Sequence, residues 1–520
     1  MAATVLTLLF GLCASFWVSG EEVPYESYTY WEDYGAGQKV AVYNKPVYSV
    51  GTSITADSLG LPLFEGLMDI VADEKDYLYI LDTNGDVVIL NDKYELVKKI
   101  DAFIYHGETV TIKGSEATTV VNDGDTLEIS AATGLFVKND TIYIADPKGE
   151  RVIVSDLNGD VSYLLTRPVS HLIPSDFLYM PQKIAVDSKD YTYVSCDGSY
   201  YGALVYSPTM EFLGFYGANT VANSVLDVLS SLVTRLFQND EKRAASMLSL
   251  PYQFIDMVVG PDDFIYTATG KTGAKSTSTG QVSVMNPGGK NILKKEGYNF
   301  SDTEYAPYNK IASQSNVVSI AVDDDGFFYI VDAAYGRAFM YDKECNLVTI
   351  FGGALGANAG IIQQNGITRV PRTIEVKGTD VLVCDGFKNQ IHVYELTEYG
   401  ALLREAQIVT LQDEFEESLS MWDEVLKQDQ NCQLAYRGLA KAHYSLGHNE
   451  EAADYARLGA DRDTYSNAFL KIRTAWLEIY FVYIFIGVIL LVAGLFIFLH
   501  FKKKRGWKLI KNERVSVMLD

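Results

Sequence analysis

Along residues 318–353, VSIAVDDDGFFYIVDAAYGRAFMYDKECNLVTIFGG, short apolar runs alternate with clusters of Asp, Gly and Asn. Ile320 and Val322 close one run before an Asp-Asp-Asp-Gly turn at 323–326. A second run ends at Asp332, a third covers Ala338–Tyr341, and Leu347–Phe351 ends on a Gly pair. Each run is rich in Val, Ile, Phe and Tyr and bounded by turn chemistry, which predicts a four-stranded antiparallel meander.

The same phrase recurs. Copies centre on Asp82, Asp146, Asp197, Thr269, Asp332 and Asp385, at intervals of 64, 51, 72, 63 and 53 residues. These exceed a bare blade of roughly 40–50 residues, so loops are expected on one face. Six copies predict a mainly β fold, a closed six-bladed β-propeller over 60–397, in which each sheet buries its faces against its neighbours and few edges stay free. After IHVYE at 391–395 the pattern turns helical, which leaves blade six one strand short. Lys39–Val50 reads as strand, so the segment 21–59 is expected to complete that blade and close the propeller.

MPQKIAVDSKDYTYV (180–194) and VPRTIEVKGTDVLVCDGFKNQIHVYE (370–395) resemble the NHL repeat, a propeller blade of the form P-x-x-I-A-V-D-x-x-G-x-x-Y-V-x-D-x-x-N-x-R-I-x-V-F. The copies depart from it in places: Thr269 stands where the repeat has Asp, and its Arg is kept only at Arg151 and Arg337.

Two stretches change period. In 219–249, Val221, Val225, Val228, Leu229, Leu232, Leu236 and Phe237 recur at three and four, predicting an amphipathic helical insert. Such an insert either caps the channel or presents a groove to a partner. The insert at 104–131 is more polar and reads as an extended hairpin. From Glu398 a 34-residue period takes over, with Ala406 and Ala440 one period apart. FEESLSMWDEVLKQDQN (415–431) and AYRGLAKAHYSLGHNEEAADYARLG (435–459) resemble the tetratricopeptide (TPR) repeat, with Trp422, Val425, Leu439, Ala440, Gly447, Ala452 and Tyr455 in place. Ser418 stands where Ala is usual, and Asp429-Gln430 replaces Asp-Pro. Two repeats over 398–461 fall short of the roughly three that stand alone. They are expected to lean on the propeller or on a juxtamembrane helix at 462–478.

Ile479–Phe501 is a run of 23 residues without Asp, Glu, Lys or Arg, long enough to cross a bilayer core of about 30 Å as one transmembrane helix. Lys502-Lys503-Lys504-Arg505 follows, and Trp476, Tyr480 and Tyr483 mark the other end. The positive-inside rule puts the basic tail 502–520 in the cytoplasm and residues 21–478 outside, a single-pass protein of the cell membrane. Residues 1–20 read as a signal peptide with cleavage after Gly20. The chain's formal charge is −24, and the tail carries +5, so the remainder stands at −29. That balance excludes nucleic acid as a partner, because phosphate binding needs clustered Lys and Arg.

The candidate chemistry is sparse. Five cysteines at 13, 196, 345, 384 and 432 form no CxxC pair; Cys196 and Cys384 hold equivalent places in blades three and six and read as buried fillers rather than a disulfide. Asp82, Asp146, Asp197, Asp332 and Asp385 end strands before turns. They form either a ring of carboxylates for metal or sugar, or turn-fixing acceptors, and their repetition in nearly every blade favours the second. DTNGD (82–86) and DLNGD (156–160) read as hairpin turns rather than calcium loops. Tyr25, Tyr28, Tyr30, Trp31 and Tyr34 could stack on a sugar or line the propeller's side. GKT at 270–272 lacks the upstream Gly of a Walker loop, FGGALGAN at 351–358 has no βαβ unit around it, and the six histidines are dispersed. No HExxH or G-x-S-x-G motif is present. Propeller enzymes of the gluconolactonase type hold a divalent ion through Glu, Asn and Asp, but no such set can be placed on these residues. No catalytic, cofactor-binding or metal-binding residue is therefore assigned, and no cofactor is expected.

Two functions remain. The leading one is a membrane-anchored extracellular binding or scaffold protein, with the propeller as recognition head and the TPR-like hairpins as docking surface. The whole arrangement resembles surface proteins of Gram-positive bacteria, often encoded beside carbohydrate ABC-transporter components. That resemblance implies a membrane-protein partner, transporter subunits in particular, and a carbohydrate ligand. The alternative is an extracellular lactonase or hydrolase with a divalent metal in the central channel.

Overall fold

In a computed structural model of the chain, the described residues are 23–25, 27–33, 39–114, 118–175, 177–199, 201–217, 253–269, 281–293, 300–301, 316–353 and 365–504. The expected signal peptide, the helical insert at 219–249, the GKT loop and the tail beyond 504 lie outside them.

The strands assemble as six antiparallel meanders. Blade one comprises Leu67–Ala72, Leu78–Asp82, Val87–Leu90 and Leu96–Ile100. Blade two comprises Gly134–Lys138, Thr141–Asp146, Arg151–Asp156 and Asp160–Thr166; blade three Pro181–Val186, Thr192–Cys196, Ala203–Tyr206 and Phe212–Tyr216. Phe254–Val259, Ile265–Thr269 and Val282–Met285 are the described strands of blade four, and Val317–Val322, Phe328–Asp332, Arg337–Tyr341 and Leu347–Gly352 form blade five. Blade six is built from Pro371–Lys377, Asp380–Asp385 and Gln390–Leu396, and its outermost strand is Tyr48–Thr55 from the N-terminal side. The first strands of consecutive blades pack side by side around an axis, and blade six meets blade one. The chain is a closed six-bladed β-propeller.

Second strands such as Leu78–Asp82 and Phe328–Asp332 are buried along their whole length. This is why they read as continuous apolar runs: each is covered on both faces by neighbouring blades. The turns have a fixed chemistry. Asp73, Asp187 and Asp323 each accept from the backbone N–H four residues on, at 2.8, 2.9 and 2.9 Å, and from a tyrosine hydroxyl six residues on, at 3.1, 3.1 and 3.0 Å. An Asx-type acceptor of this kind makes the hairpin turn a local property of the sequence.

Connections of two to five residues join first to second and third to fourth strands, for example 73–77, 91–95, 323–327 and 342–346. The passages from one blade to the next, between Ile100 and Gly134 or between Thr166 and Pro181 for example, begin and end at the opposite edge. In the first of these, Ile104–Tyr105 runs parallel to the outer strand of blade two, and Val110–Lys113 pairs with Thr118–Val121 in a hairpin.

The closing strand differs from the expected one. Lys39–Val50 is not a single strand: Lys39–Tyr43 pairs with Tyr28–Asp33 in a separate hairpin, and only at Tyr48 does the chain enter blade six. Asn44, Lys45 and Pro46 break the run, with Asn44 Nδ2 and the Lys45 N–H both donating to Asp429. Of the N-terminal aromatic cluster, Tyr28 is buried with the Arg337 guanidinium over its ring, and Tyr25 packs edge-on against Tyr394. Both line the propeller's flank. The side chains of Trp31 and Tyr34 lie outside the description.

Four helices follow: α1 (Glu398–Leu411), α2 (Phe415–Gln428), α3 (Gln433–Ser445) and α4 (Asn449–Leu458). Thr397 caps α1, its hydroxyl accepting from the Gly400 N–H at 2.9 Å and lying 3.0 Å from the Val47 carbonyl. Gly400 is required there, because a Cβ would stand 2.2 Å from that same carbonyl. Ala406 and Ala440, one period apart, are both fully buried, as are Trp422 and Val425. The expected separate helices at 462–478 and 479–501 are one helix, α5, Arg462–Lys504. It is long and apolar enough to cross a membrane, with a mean hydropathy of 3.0 in its most apolar stretch, and Ala468 and Ile472 near its start pack against Ala452 and Ala453 of α4.

Candidate functional site

The channel axis is closed by side chains from a single position of the blades. In five of the six first strands the register shifts by one residue at the third position, and that bulge carries Asp69, Lys183, Asp256, Ser319 or Thr373. All five point at one another. Lys183 Nζ lies 2.7 Å from Asp69 Oδ1 and 3.4 Å from Asp256 Oδ1. Asp69 Oδ2 accepts from the Leu135 N–H of blade two at 2.7 Å. Asp256 Oδ2 accepts from the Ser319 hydroxyl at 2.5 Å and the Ile320 N–H at 3.0 Å. Ser319 Oγ in turn accepts from the Ile374 N–H of blade six at 3.1 Å. A chain of polar contacts thus passes through all six blades.

The charges explain its shape. Burial raises the Asp69 carboxyl above the usual carboxylate range, and Lys183 opposes that rise. Burial works against the Lys183 ammonium, but Asp256 and Asp69 outweigh it and hold the lysine charged. Glu375, two residues beyond Thr373, is pushed up to about 8, chiefly by burial and further by the carboxylates of Asp69 and Asp256. Because the ammonium stands between the two aspartates, a divalent ion at that point would have to displace it. Among the described residues, no group of three or more His, Cys, Asp or Glu side chains converges as metal ligands.

The strand-end aspartates act mainly on their own turns. Asp82 accepts from the N–H groups of Asn84 and Asp86, both at 3.0 Å. Asp146 accepts from the Gly149 N–H and from Arg151 Nε, each at 2.9 Å. Asp385 accepts from the N–H groups of Arg369, Val370, Phe387 and Lys388. Asp197 is the exception: it is exposed and accepts from the Gln253 side chain at 2.9 Å. Cys196 and Cys384 are buried thiols in separate core clusters and form no disulfide, and Cys345 and Cys432 are likewise buried.

Arg404, which no motif marked, joins the helices to the propeller. Its Nη1 donates to Asp323 Oδ2 at 2.6 Å and to the Tyr329 hydroxyl at 3.0 Å, and its Nη2 to Asp325 Oδ2 at 2.6 Å. The guanidinium lies 4.7 Å from the centre of the Phe327 ring. One turn along α1, Gln407 Nε2 donates to Asp342 Oδ2 at 2.6 Å. Two aspartates of the Asp-Asp-Asp-Gly turn therefore serve as the socket for α1. The available signal was an arginine on the helical face that also carries Leu403 and Ala406; nothing local named its partner.

No family model matches the chain, and no curated protein is similar to it in sequence. Among solved structures, virginiamycin B lyase from Staphylococcus aureus is similar over 66% of this chain and 99% of its own, at 10% identity and a TM-score of 0.37. A structural-genomics protein of unknown function from Bacteroides thetaiotaomicron aligns over 69% of this chain and 80% of its own, at 13% identity and a TM-score of 0.39. The Neurospora crassa Pan2 WD40 domain aligns over 67% and 94%, at 11% identity and a TM-score of 0.35.

Proposed function

We propose that this chain is a membrane-anchored binding protein. The propeller is an NHL-like recognition head on the outer side of the cell membrane, and the four helices form TPR-like hairpins that dock a membrane partner. One observation carries this reading. Arg404 and Gln407 join the helices rigidly to one edge of the propeller, α4 packs against the start of α5, and the chain passes from blade to blade at the edge opposite the dock. A helix able to span a bilayer therefore leads into a rigid head, and the edge opposite the dock is the one assigned to a ligand. Lys502, Lys503 and Lys504 at the end of α5 support a cytoplasmic C-terminus.

The resemblance to Gram-positive surface proteins points to a carbohydrate transporter as the partner and a carbohydrate as the ligand. The metal-dependent lactonase or hydrolase reading ranks below it, because Lys183 fills the place between the axial aspartates where the ion would sit. The test is affinity purification of the tagged full-length chain from membranes in mild detergent, followed by identification of co-purifying proteins. Specific recovery of transporter subunits or another integral membrane protein is expected. Its absence after chemical cross-linking, or labelling that finds the head on the same side as the lysine-rich end, would refute the reading.

A further inference from the structure

Three alternate blades carry the same groups at the turn between their first two strands: Asp73, Tyr77 and Tyr79 in blade one; Asp187, Tyr191 and Tyr193 in blade three; Asp323, Phe327 and Tyr329 in blade five. In each, the carboxylate accepts from the tyrosine hydroxyl six residues on. What lies against these groups differs. In blade five they hold the Arg404 guanidinium, between Asp323 Oδ2, the Tyr329 hydroxyl and the Phe327 ring, with Asp325 Oδ2 as a second carboxylate at the position that Lys189 takes in blade three. In blade one the register runs Tyr79 to Ile89 to Lys98, and Lys98 reaches across to the short turn of blade two, donating to the Leu157 carbonyl at 2.8 Å and to Asn158 Oδ1 at 3.0 Å. In blade three the same register runs Tyr193 to Val205 to Gly214. Gly214 has no side chain to reach across, and among the described residues nothing stands within 4 Å of where its Cβ would be.

A cleft of about 550 Å³ opens there, between blade three and the short turns of blade four. Asp187, Tyr191 and Tyr193 line it together with Asp263 from the neighbouring blade. Asp187 is already oriented: its Oδ1 accepts from the Lys189 and Tyr191 N–H groups, and its Oδ2 accepts only from Tyr193, at 3.1 Å, among the described contacts. Asp263 is held by Ser188 and stays ionised, its carboxyl lowered chiefly by the Ser188 hydroxyl and further by Lys189. Among the lining residues Asp187 and Asp263 stand against Lys189, and the neighbouring Lys138 is paired with Asp190, so the cleft is net negative.

We propose that this cleft binds an alkylguanidinium, the group that the matching residues of blade five already hold. A planar, permanently charged fork suits a carboxylate oxygen beside a phenol with an aromatic face alongside, and suits it better than a compact ammonium. The inference goes beyond the proposed function and does not depend on it. The group can come from a free arginine-like molecule or from an arginine of a partner segment, and the experiment separates the two.

The full-length protein in detergent is titrated with N-acetyl-argininamide, with N-acetyl-lysinamide, and with a neutral peptide bearing one central arginine, followed by ligand-observed NMR. Saturable binding of the arginine probes, weaker for lysine, is expected. A tighter peptide assigns the source to a partner segment, and equal affinities assign it to a free molecule. Asp187→Asn should weaken binding at least tenfold. Tyr191→Ala should weaken it severalfold, and Tyr191→Phe, which restores the residue type of blade five, should bind as the unaltered protein does. The Tyr191 pair keeps the test valid if Asp187→Asn fails to fold. No saturable binding, equal binding of lysine, or affinity indifferent to both Asp187→Asn and Tyr191→Ala would overturn the proposal.

Discussion

Replacing Arg404 with methionine keeps a long apolar stem beside Phe327 and removes only the guanidinium. Arg404 and Asp323 are 7% and 5% exposed, so the carboxylate left behind is buried without its counter-charge. Breaking a buried pair from one side costs about 3–5 kcal/mol. Burial already raises the Asp323 carboxyl, and Arg404 is what pulls it back toward ionisation. Without the arginine the folded state takes up a proton at higher pH than the unfolded chain does. An acid whose folded-state pKa is raised loses stability as pH rises through that value. The defect should therefore be greatest near pH 8 and shrink toward pH 5.

The readout is hydrogen exchange of the α1 backbone amides in the full-length protein. At about 1.4 kcal/mol per decade, exchange at pH 8 should quicken by roughly a hundredfold to a few thousandfold. Adding Asp323→Asn should recover most of the protection, because removing both halves of a buried polar pair approaches neutrality. A change below tenfold that is flat with pH, or a double variant as unprotected as the single one, would refute the reasoning.

Two further outcomes follow from the ring. Glu375 is raised to about 8, so its ionisation opposes folding across the window from 4.5 to about 8. Glu375→Gln should flatten the fall in stability over that range, by about 2–4 kcal/mol once contact with channel water is allowed for, as read from thermal melts at pH 5 and pH 8.5. Deleting 48–55 strips the outer strand from blade six and exposes the edge of Gln390–Leu396. Such an edge recruits other chains, so size-exclusion chromatography should show aggregation, and a monomeric, undisturbed elution would contradict the closure.

Much of the fold was legible because its signals are local. Six runs of Val, Ile, Phe and Tyr ending at Asp82, Asp146, Asp197, Thr269, Asp332 and Asp385 mark the second strands, and the aspartates in the intervening turns hold their own loops through bonds spanning only a few residues. The closing strand was misplaced by several residues. Its boundary depends on Asn44 and Lys45 meeting Asp429, 385 and 384 positions away, and no strand pattern encodes such a contact.

The sequence alone therefore settled the number of blades, the chemistry of their turns and the presence of one long apolar helix, since each is a property of neighbouring residues. Only the tertiary structure decided which polar groups meet. Lys183 reaches Asp69 across 114 positions, and Arg404 reaches Asp323 across 81. Both are buried charges whose partners are chosen by the angle between blades. The same folding decides that one Asp–Tyr pair holds an arginine while its counterpart beside Gly214 faces an open cleft. Desolvation makes such pairings matter, and it acts only once the blades have closed.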